Sequence, residues 1–209
     1  MTADIQFYTN PMSRGQMVRW MLEEIGQPYD TQIVDYAVMH DEAYRAVNPM
    51  MKVPAIVHRG HTVTECAGII AYLADAFPGA ELAPRADERA DYYRWLLFAA
   101  GPIEQAVTNK SAGFVPSEEK GRLMGYGTFD LAVNTLADHC ASSGHVCGDR
   151  FTAADVYVGS QVMWGTQFGT LPSLQPFLDY GALLSQREAY QRAKAIDGKL
   201  IAEMQAAAN

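Results

Sequence analysis

The sequence predicts a protein of two parts, an α/β domain with a mixed four-stranded sheet followed by an all-helical domain. Three observations indicate this. Short segments rich in β-forming residues alternate with helical segments up to about residue 80. Strand signals stop near Pro84, and the long apolar patterns after it have helical spacing. The stretch "ELAPRAD" between them has the composition of a linker. We therefore assign residues 1–80 to the first domain and residues 86–209 to the second.

The elements of the first domain follow the order βαβ and then ββα. Strands are predicted at 5–8, 29–34, 53–58 and 61–65, and helices near 13–25, 41–47 and 66–77. Gly26 and Pro28 end the first helix, whose apolar face carries Met17, Val18, Met21, Leu22 and Ile25. The first two strands are joined by a helix, which predicts a parallel pair, and the last two form a hairpin.

The second domain carries four segments with helical spacing or composition, at 86–107, 117–140, 153–165 and 187–205. The third begins with "FTAAD", in which Thr152 and Asp155 have the spacing of a capping box. We expect this pair to stabilise the fold and to have no catalytic role.

Composition excludes several classes of partner. The chain has 209 residues, a net charge of −8 and a pI near 5.0, with no basic run, so nucleic acid and anionic membrane are not expected partners. No apolar run reaches the length of a membrane span, and the first residues do not resemble a secretory signal. Three cysteines do not suggest a disulfide framework, and a cytoplasmic location is expected.

No metal site is predicted. His139, Cys140, His145 and Cys147 lie close in sequence but lack the paired spacing of zinc ligands. Aromatic residues of the helical segments could line an apolar pocket, but at helical spacing such residues are more often core, so none is assigned. The set is Trp95, Phe98, Phe114, Trp164 and Phe168.

The turn "TNPMSRG" between the first strand and the first helix holds the most informative polar residue, Ser13. Gln16 follows three positions later, which has the form of a capping box in which the serine hydroxyl satisfies the first helical amides. The alternative is that the hydroxyl faces a ligand.

Four segments together resemble the cytosolic glutathione transferases, of the bacterial type with a serine-type active-site loop. They are "TNPMSRG", "NPMMKVPAI", "TVTECAGIIAYLAD" and "GDRFTAADVYVG", and they keep the order and spacing of that family. The resemblance implies a thioredoxin-like first domain that binds glutathione as co-substrate. It also implies a helical domain for co-substrate binding and dimerisation, and a homodimer.

The resemblance also implies the glutathione-binding residues. Val53 and Pro54 match a Val-Pro pair with a cis proline, whose valine backbone pairs with the peptide as a short strand would. Glu65 is expected to take the ammonium group, and amides at the start of the next helix the γ-glutamyl carboxylate. His40 and Lys52 are candidates for the glycine carboxylate.

Cys66 stands where the family usually has serine. Because a thiol is a weak donor, this change is expected to weaken glutathione binding by about 1 kcal/mol if the backbone amide still holds the peptide. A redox role for Cys66 is the alternative, and a small buried residue is the simpler interpretation.

The resemblance carries the catalytic hydroxyl of serine-type members onto Ser13. A thiol of pKa about 8.5 is mostly protonated at neutral pH, so a hydrogen bond to the sulfur and the amino end of a helix are both needed to favour the thiolate. Tyr8 and Asn10 are alternative donors in the same region, and a site without a catalytic side chain is a further alternative.

The predicted function is glutathione transferase activity, in which the thiolate is conjugated to a small apolar electrophile. One alternative keeps the glutathione site and changes the reaction to isomerisation, peroxide reduction or dehalogenation. Another is a non-catalytic module of the same fold that carries ligands or binds proteins.

Overall fold

The computed structural model describes residues 3–207, which form two compact units. The first unit comprises Met1–Leu82 together with Gln186–Asn209, and the second comprises Ala83–Ser185. The last helix of the chain therefore belongs to the first unit, whereas the sequence interpretation grouped every residue after 86 in one helical domain. No helix within residues 3–207 has the length and apolar character needed to cross a membrane.

The first unit contains the predicted four-stranded mixed sheet, with strand order β2-β1-β3-β4. β1 pairs in parallel with β2 and antiparallel with β3, and β3 and β4 form the expected hairpin. The strands are β1 (Ile5–Thr9), β2 (Tyr29–Ile33), β3 (Ala55–His58) and β4 (His61–Thr64). The helices are α1 (Gly15–Ile25), α2 (Glu42–Arg45) and α3 (Cys66–Ala76).

The core of the first unit lies between the sheet and its helices. All five residues of the predicted apolar face of α1 are buried. α1 packs against α3, in which Ile69, Ile70 and Leu73 are also buried. Gly26 ends α1 in the left-handed conformation that favours glycine, with φ of 64°. The sequence pattern was therefore sufficient to predict this helix and its buried side.

The second unit is helical throughout its regular structure. Its helices are α4 (Arg89–Phe98), α5 (Glu104–Ser111), α6 (Glu118–Leu123), α7 (Phe129–Ser142), α8 (Ala153–Phe168) and α9 (Gln175–Ser185). The predicted segment 86–107 is interrupted by a π-helical turn at Ala99–Ile103, which contains Pro102. The predicted segment 117–140 is two helices, separated where Gly127 has a φ of 65°. α9 was not predicted.

The capping box at the start of α8 is confirmed. The Thr152 backbone amide donates to Asp155 Oδ2 at 2.8 Å, and the fully buried Asp155 carboxylate also accepts from the Val146 amide and the Tyr180 hydroxyl, each at 2.8 Å. Because every one of these donors is buried with it, the carboxylate organises the middle of the second unit.

α10 (Glu188–Ala207) packs on α1 through a line of polar contacts. Arg187, just before α10, makes a bidentate pair with Glu24, with nitrogen–oxygen distances of 2.6 and 2.7 Å. Asp197 pairs with the buried Arg19 at 3.1 Å. The Trp20 and Tyr190 rings meet edge to face, 5.0 Å apart. These contacts explain why the last helix joins the first unit.

Candidate glutathione site

The turn between β1 and α1 is held by the backbone and side chain of Asn10. The Ser13 amide donates to the Asn10 carbonyl at 3.0 Å, and Asn10 Oδ1 accepts from the Met12 amide at 3.0 Å. The carboxamide nitrogen of Asn10 donates to the Val34 carbonyl at 3.2 Å. Asn10 is fully buried, so its side chain is part of the support of the turn.

The Ser13 hydroxyl makes two hydrogen bonds within this turn. It donates to the Asn10 carbonyl at 2.7 Å and accepts from the Gly15 amide at 3.0 Å. The predicted capping box with Gln16 is wrong, because α1 begins only at Gly15 and the Gln16 amide donates to the backbone carbonyl of Ser13 at 3.2 Å. The hydroxyl is half-buried at the amino end of α1.

Gly15 allows this close approach of the helix start to β1. A Cβ atom at position 15 would lie 1.9 Å from the hydroxyl oxygen of Thr9, which is fully buried. Any larger residue would force the Thr9 side chain or the turn that carries Ser13 to shift.

The peptide bond between Val53 and Pro54 is cis, as the resemblance implied. Val53 is half-buried, and neither its amide nor its carbonyl makes a hydrogen bond to another residue in the described range 3–207. Both groups are therefore available to pair with an extended peptide.

Two residues that sequence reasoning missed hold the segment before Pro54. The Tyr44 hydroxyl and the Asn48 carboxamide donate to the Lys52 carbonyl at 2.6 and 2.7 Å. Burial raises the pKa of Tyr44 to about 12, so its phenol stays protonated and remains a donor at neutral pH. The Lys52 side chain is exposed.

Tyr8 and Val53 pack against one cluster of buried residues, formed by Val34, Met39 and Tyr44. The Tyr8 and Tyr44 rings are 5.9 Å apart. Within residues 3–207 the Tyr8 hydroxyl makes no hydrogen bond. His40, which follows Met39, is exposed.

Glu65 and Cys66 lie at the start of α3. Glu65 is exposed and has a φ of 65°, and its carbonyl accepts from the Ile69 amide at 2.8 Å. The amides of the first helical turn point to the same end, where a helix offers unpaired donors to an anion. The Cys66 thiol donates to the Arg14 carbonyl at 3.7 Å, which brings the start of α3 to the turn that carries Ser13.

The other two cysteines lie in the second unit and are poor nucleophiles. Burial raises the pKa of the Cys140 thiol to about 12 and that of Cys147 to about 11. His139 stacks on the Trp95 ring at 3.8 Å. In the part of the chain that the structure describes, no group of three or more His, Cys, Asp or Glu residues is placed to hold a metal ion.

The second unit contains a cavity of about 370 Å³ beside α5. Phe114, one of the aromatic residues left unassigned above, lines it together with Tyr126, Phe129 and Lys110. The Lys110 ammonium lies 3.5 Å from the centre of the Phe129 ring. Trp95, in contrast, is buried in the core, at 4% exposure.

Known proteins resemble both the sequence and the fold. Residues 12–76 match the family model described as glutathione S-transferase, N-terminal domain. Glutathione S-transferase 3 of Schizosaccharomyces pombe is 27% identical, over 68% of this chain and 66% of that protein. Glutathione S-transferase GstA of Escherichia coli O157:H7 is 25% identical, over 85% and 90%. Maleylacetoacetate isomerase of Rattus norvegicus is 26% identical, over 76% and 75%.

Solved structures of glutathione transferases superpose on most of this chain. A glutathione transferase from Methylococcus capsulatus superposes with a TM-score of 0.76 at 25% identity, over 93% of this chain and 98% of that one. A sphingomonad glutathione S-transferase complexed with glutathione gives 0.74 at 26% identity, over 92% and 98%. Together with the thioredoxin-like sheet and the helical remainder, these matches show that the chain is similar to glutathione transferases in sequence and in fold.

Proposed function

We propose that the protein conjugates the thiolate of glutathione to a small apolar electrophile. The proposal rests on the backbone of Val53, whose amide and carbonyl make no hydrogen bond to another described residue. Val53 lies in the segment that matches the glutathione S-transferase N-terminal domain. A peptide with its own amide and carbonyl at matching spacing would satisfy both groups.

The charged ends of glutathione need three further contacts. Glu65 binds the γ-glutamyl ammonium, and the first amides of α3 bind the neighbouring carboxylate. His40 and Lys52, both exposed, are the candidates for the glycine carboxylate. Cys66 keeps the position that serine has in the family but offers a weaker donor, and its thiol is directed to the Arg14 carbonyl.

Ser13 is the proposed thiolate partner. The Gly15 amide fixes the position of its oxygen, so only the hydroxyl hydrogen has to turn from the Asn10 carbonyl toward a bound sulfur. The Asn10 carbonyl keeps the Ser13 amide as a donor when this happens. Lowering a thiol pKa by about two units requires about 2.7 kcal/mol of preferential thiolate stabilisation. The hydroxyl and the amino end of α1 together supply that order of energy.

Tyr8 and Asn10 remain the alternative donors to the sulfur. The free hydroxyl of Tyr8 supports Tyr8 as the next candidate. Asn10 is less suited, because its carboxamide is fully buried and bound to Val34 and Met12.

We further propose that residues 1–80 bind glutathione, that the helical residues 86–209 provide the co-substrate and dimer contacts, and that the protein is a cytoplasmic homodimer. Light scattering coupled to size-exclusion chromatography measures the predicted dimer mass directly. A monomer at micromolar concentration would contradict the dimer.

Calorimetric titration with reduced glutathione tests the site. Glu65→Ala should weaken binding about tenfold or more, since the ammonium loses its counter-charge. Glu81→Ala, at the end of the same unit, is the matched control and should bind as the native protein does. Absence of binding by the native protein at millimolar glutathione would refute the whole assignment.

The bound thiol is tested by its ultraviolet absorbance as a function of pH. Ser13→Ala should raise the apparent thiol pKa by about one unit, because one hydrogen bond to the thiolate is lost. If the native protein lowers the thiol pKa of bound glutathione and Ser13→Ala leaves that lowered value unchanged, Ser13 is not the thiolate partner. Tyr8 would then be the next candidate, and Tyr8→Phe should raise the thiol pKa.

Glutathione-dependent isomerisation is the second candidate, favoured by the similarity to maleylacetoacetate isomerase. It uses the same site but regenerates glutathione at each turnover. Turnover of maleylacetoacetate without consumption of glutathione would support this reaction, whereas stoichiometric loss of thiol with an electrophile supports conjugation.

A further inference from the structure

The side chain of Gln16 connects the last helix of the chain to the turn before α1. Its carboxamide nitrogen donates to the Pro11 carbonyl at 2.6 Å, and its oxygen accepts from the Lys194 ammonium at 3.0 Å. An ammonium group only donates, so Lys194 fixes which end of the carboxamide faces α10. The nitrogen is thereby directed to Pro11.

This contact acts on the backbone that carries Ser13. Pro11 lies between Asn10 and Ser13, whose amide and hydroxyl both donate to the Asn10 carbonyl. The Gln16–Pro11 hydrogen bond therefore joins the middle of the turn to the first turn of α1. It adds a second restraint to the one that the Asn10 carbonyl provides. Loss of it removes this partner from the carbonyl of the buried Pro11 and leaves the turn with fewer restraints.

Lys194 is held within reach by the rest of α10. Arg187 and Asp197, on either side of it in sequence, are paired with Glu24 and Arg19 of α1. The helix backbone at Lys194 is therefore already fixed relative to α1, and only the lysine side chain has to be ordered to reach Gln16.

We propose that Lys194 and Gln16 are positioning residues for Ser13, through which α10 holds the hydroxyl at the place where a bound glutathione sulfur meets it. This inference rests on the proposed glutathione chemistry. The two residues touch neither glutathione nor the electrophile in this role. They act by limiting the movement of the turn.

The main test compares Lys194→Met with Lys199→Met. Both lysines are exposed and both changes remove one positive charge from α10, but the partner of Lys199 is Glu203, at 3.8 Å on the same helix. Lys194→Met should raise the bound thiol pKa and lower kcat/KM near pH 6.5 by about three- to tenfold, with the glutathione dissociation constant changed less than about twofold. Lys194→Arg, which keeps the charge and the donors, should restore both values. Lys199→Met should behave as the native protein.

A second measurement does not depend on glutathione. The amides of Met12, Ser13, Gly15 and Gln16 all donate within the turn, so their hydrogen exchange reports its opening. Lys194→Met and Gln16→Leu should each speed this exchange by about threefold or more in the free protein, and the double variant should add little to either.

The outcomes separate the two proposals. Equal exchange in Lys194→Met, Lys199→Met and the native protein would overturn the positioning role, whatever the activity. Faster exchange in Lys194→Met with an unchanged thiol pKa would also overturn it, because the turn would then move without affecting the thiol. If the native protein fails to bind glutathione, the proposed function falls, and the exchange data still decide whether Lys194 holds the turn.

Discussion

The ion pair between Glu88 and Arg150 makes a quantitative prediction about the stability of the second unit. Arg150 Nε donates to Glu88 Oε1 at 2.9 Å, and Arg150 Nη2 contacts Oε2. The Arg85 amide donates to Oε2 at 2.7 Å. The Glu88 side chain is 11% exposed. These donors, above all the guanidinium, lower the pKa of Glu88 from 4.5 to about 2.

The contribution of the Glu88–Arg150 pair to the free energy of unfolding follows from the lowered pKa of Glu88. A difference of about 2.5 pKa units corresponds to about 3.4 kcal/mol, at about 1.36 kcal/mol per unit, and solvent at the rim of the pair reduces it to about 1–2 kcal/mol. Because the folded pKa lies below the unfolded one, this stabilisation is fully present above pH 4.5 and is lost as the pH falls toward 2. At pH 3 about two fifths of it remains.

Glu88→Gln should therefore lower the free energy of unfolding by about 1–2 kcal/mol at pH 7 and by less than half of that at pH 3. Urea unfolding followed by tryptophan fluorescence and circular dichroism measures both values. Glu118→Gln is the control, since Glu118 and Arg122 form a pair with 87% and 75% exposed side chains, and it should change stability by less than about 0.5 kcal/mol. A Glu88→Gln variant as stable as the control at pH 7, or equally destabilised at both pH values, would refute the reasoning.

Three further predictions concern the turn, the capping box and a buried histidine. Gly15→Ala should cost about 2–3 kcal/mol in urea unfolding, because its Cβ would lie 1.9 Å from the Thr9 hydroxyl oxygen, and a neutral effect would show that the turn moves freely. Thr152→Ala should cost about 1 kcal/mol, and Asp155→Asn more, in the same assay; equal costs would contradict the central role of the carboxylate. Burial lowers the pKa of His58, so the unfolded state binds its proton at a higher pH than the folded state does. The free energy of unfolding should therefore fall as the pH drops below about 6.5. His58→Gln should reduce this pH dependence, and an unchanged dependence on pH in the variant would refute the prediction.

Local patterns were sufficient to predict most of the first unit. The β-forming segments, the helix-ending Gly26 and the apolar face of α1 each depend on neighbouring residues, and the structure has them as expected. The same holds for Thr152 and Asp155, whose capping box depends on a spacing of three residues. α9 also carried a readable signal, with Phe177, Tyr180 and Leu184 buried on one side, which the sequence interpretation overlooked.

Contacts between distant residues could not be predicted in the same way. The Ser13 hydroxyl had a local partner available in Gln16, but α1 begins only at Gly15, and the hydroxyl is bound to the Asn10 carbonyl and the Gly15 amide. The partners of the Lys52 carbonyl depend on how a short helix packs against the sheet. The link from Lys194 to Gln16, which spans 178 positions, depends on how α10 packs against α1.

The return of α10 to the first unit has a consequence for synthesis on the ribosome. After Leu82 has emerged, another 103 residues must be made before the chain reaches the segment that completes the packing of α1. At elongation rates of about 5–20 residues per second this takes roughly 5–20 s. During that interval Arg19 lacks the Asp197 carboxylate and Trp20 lacks the Tyr190 ring. The nascent first unit is then an incomplete domain with an uncovered helix face, which is the kind of surface that chaperones bind.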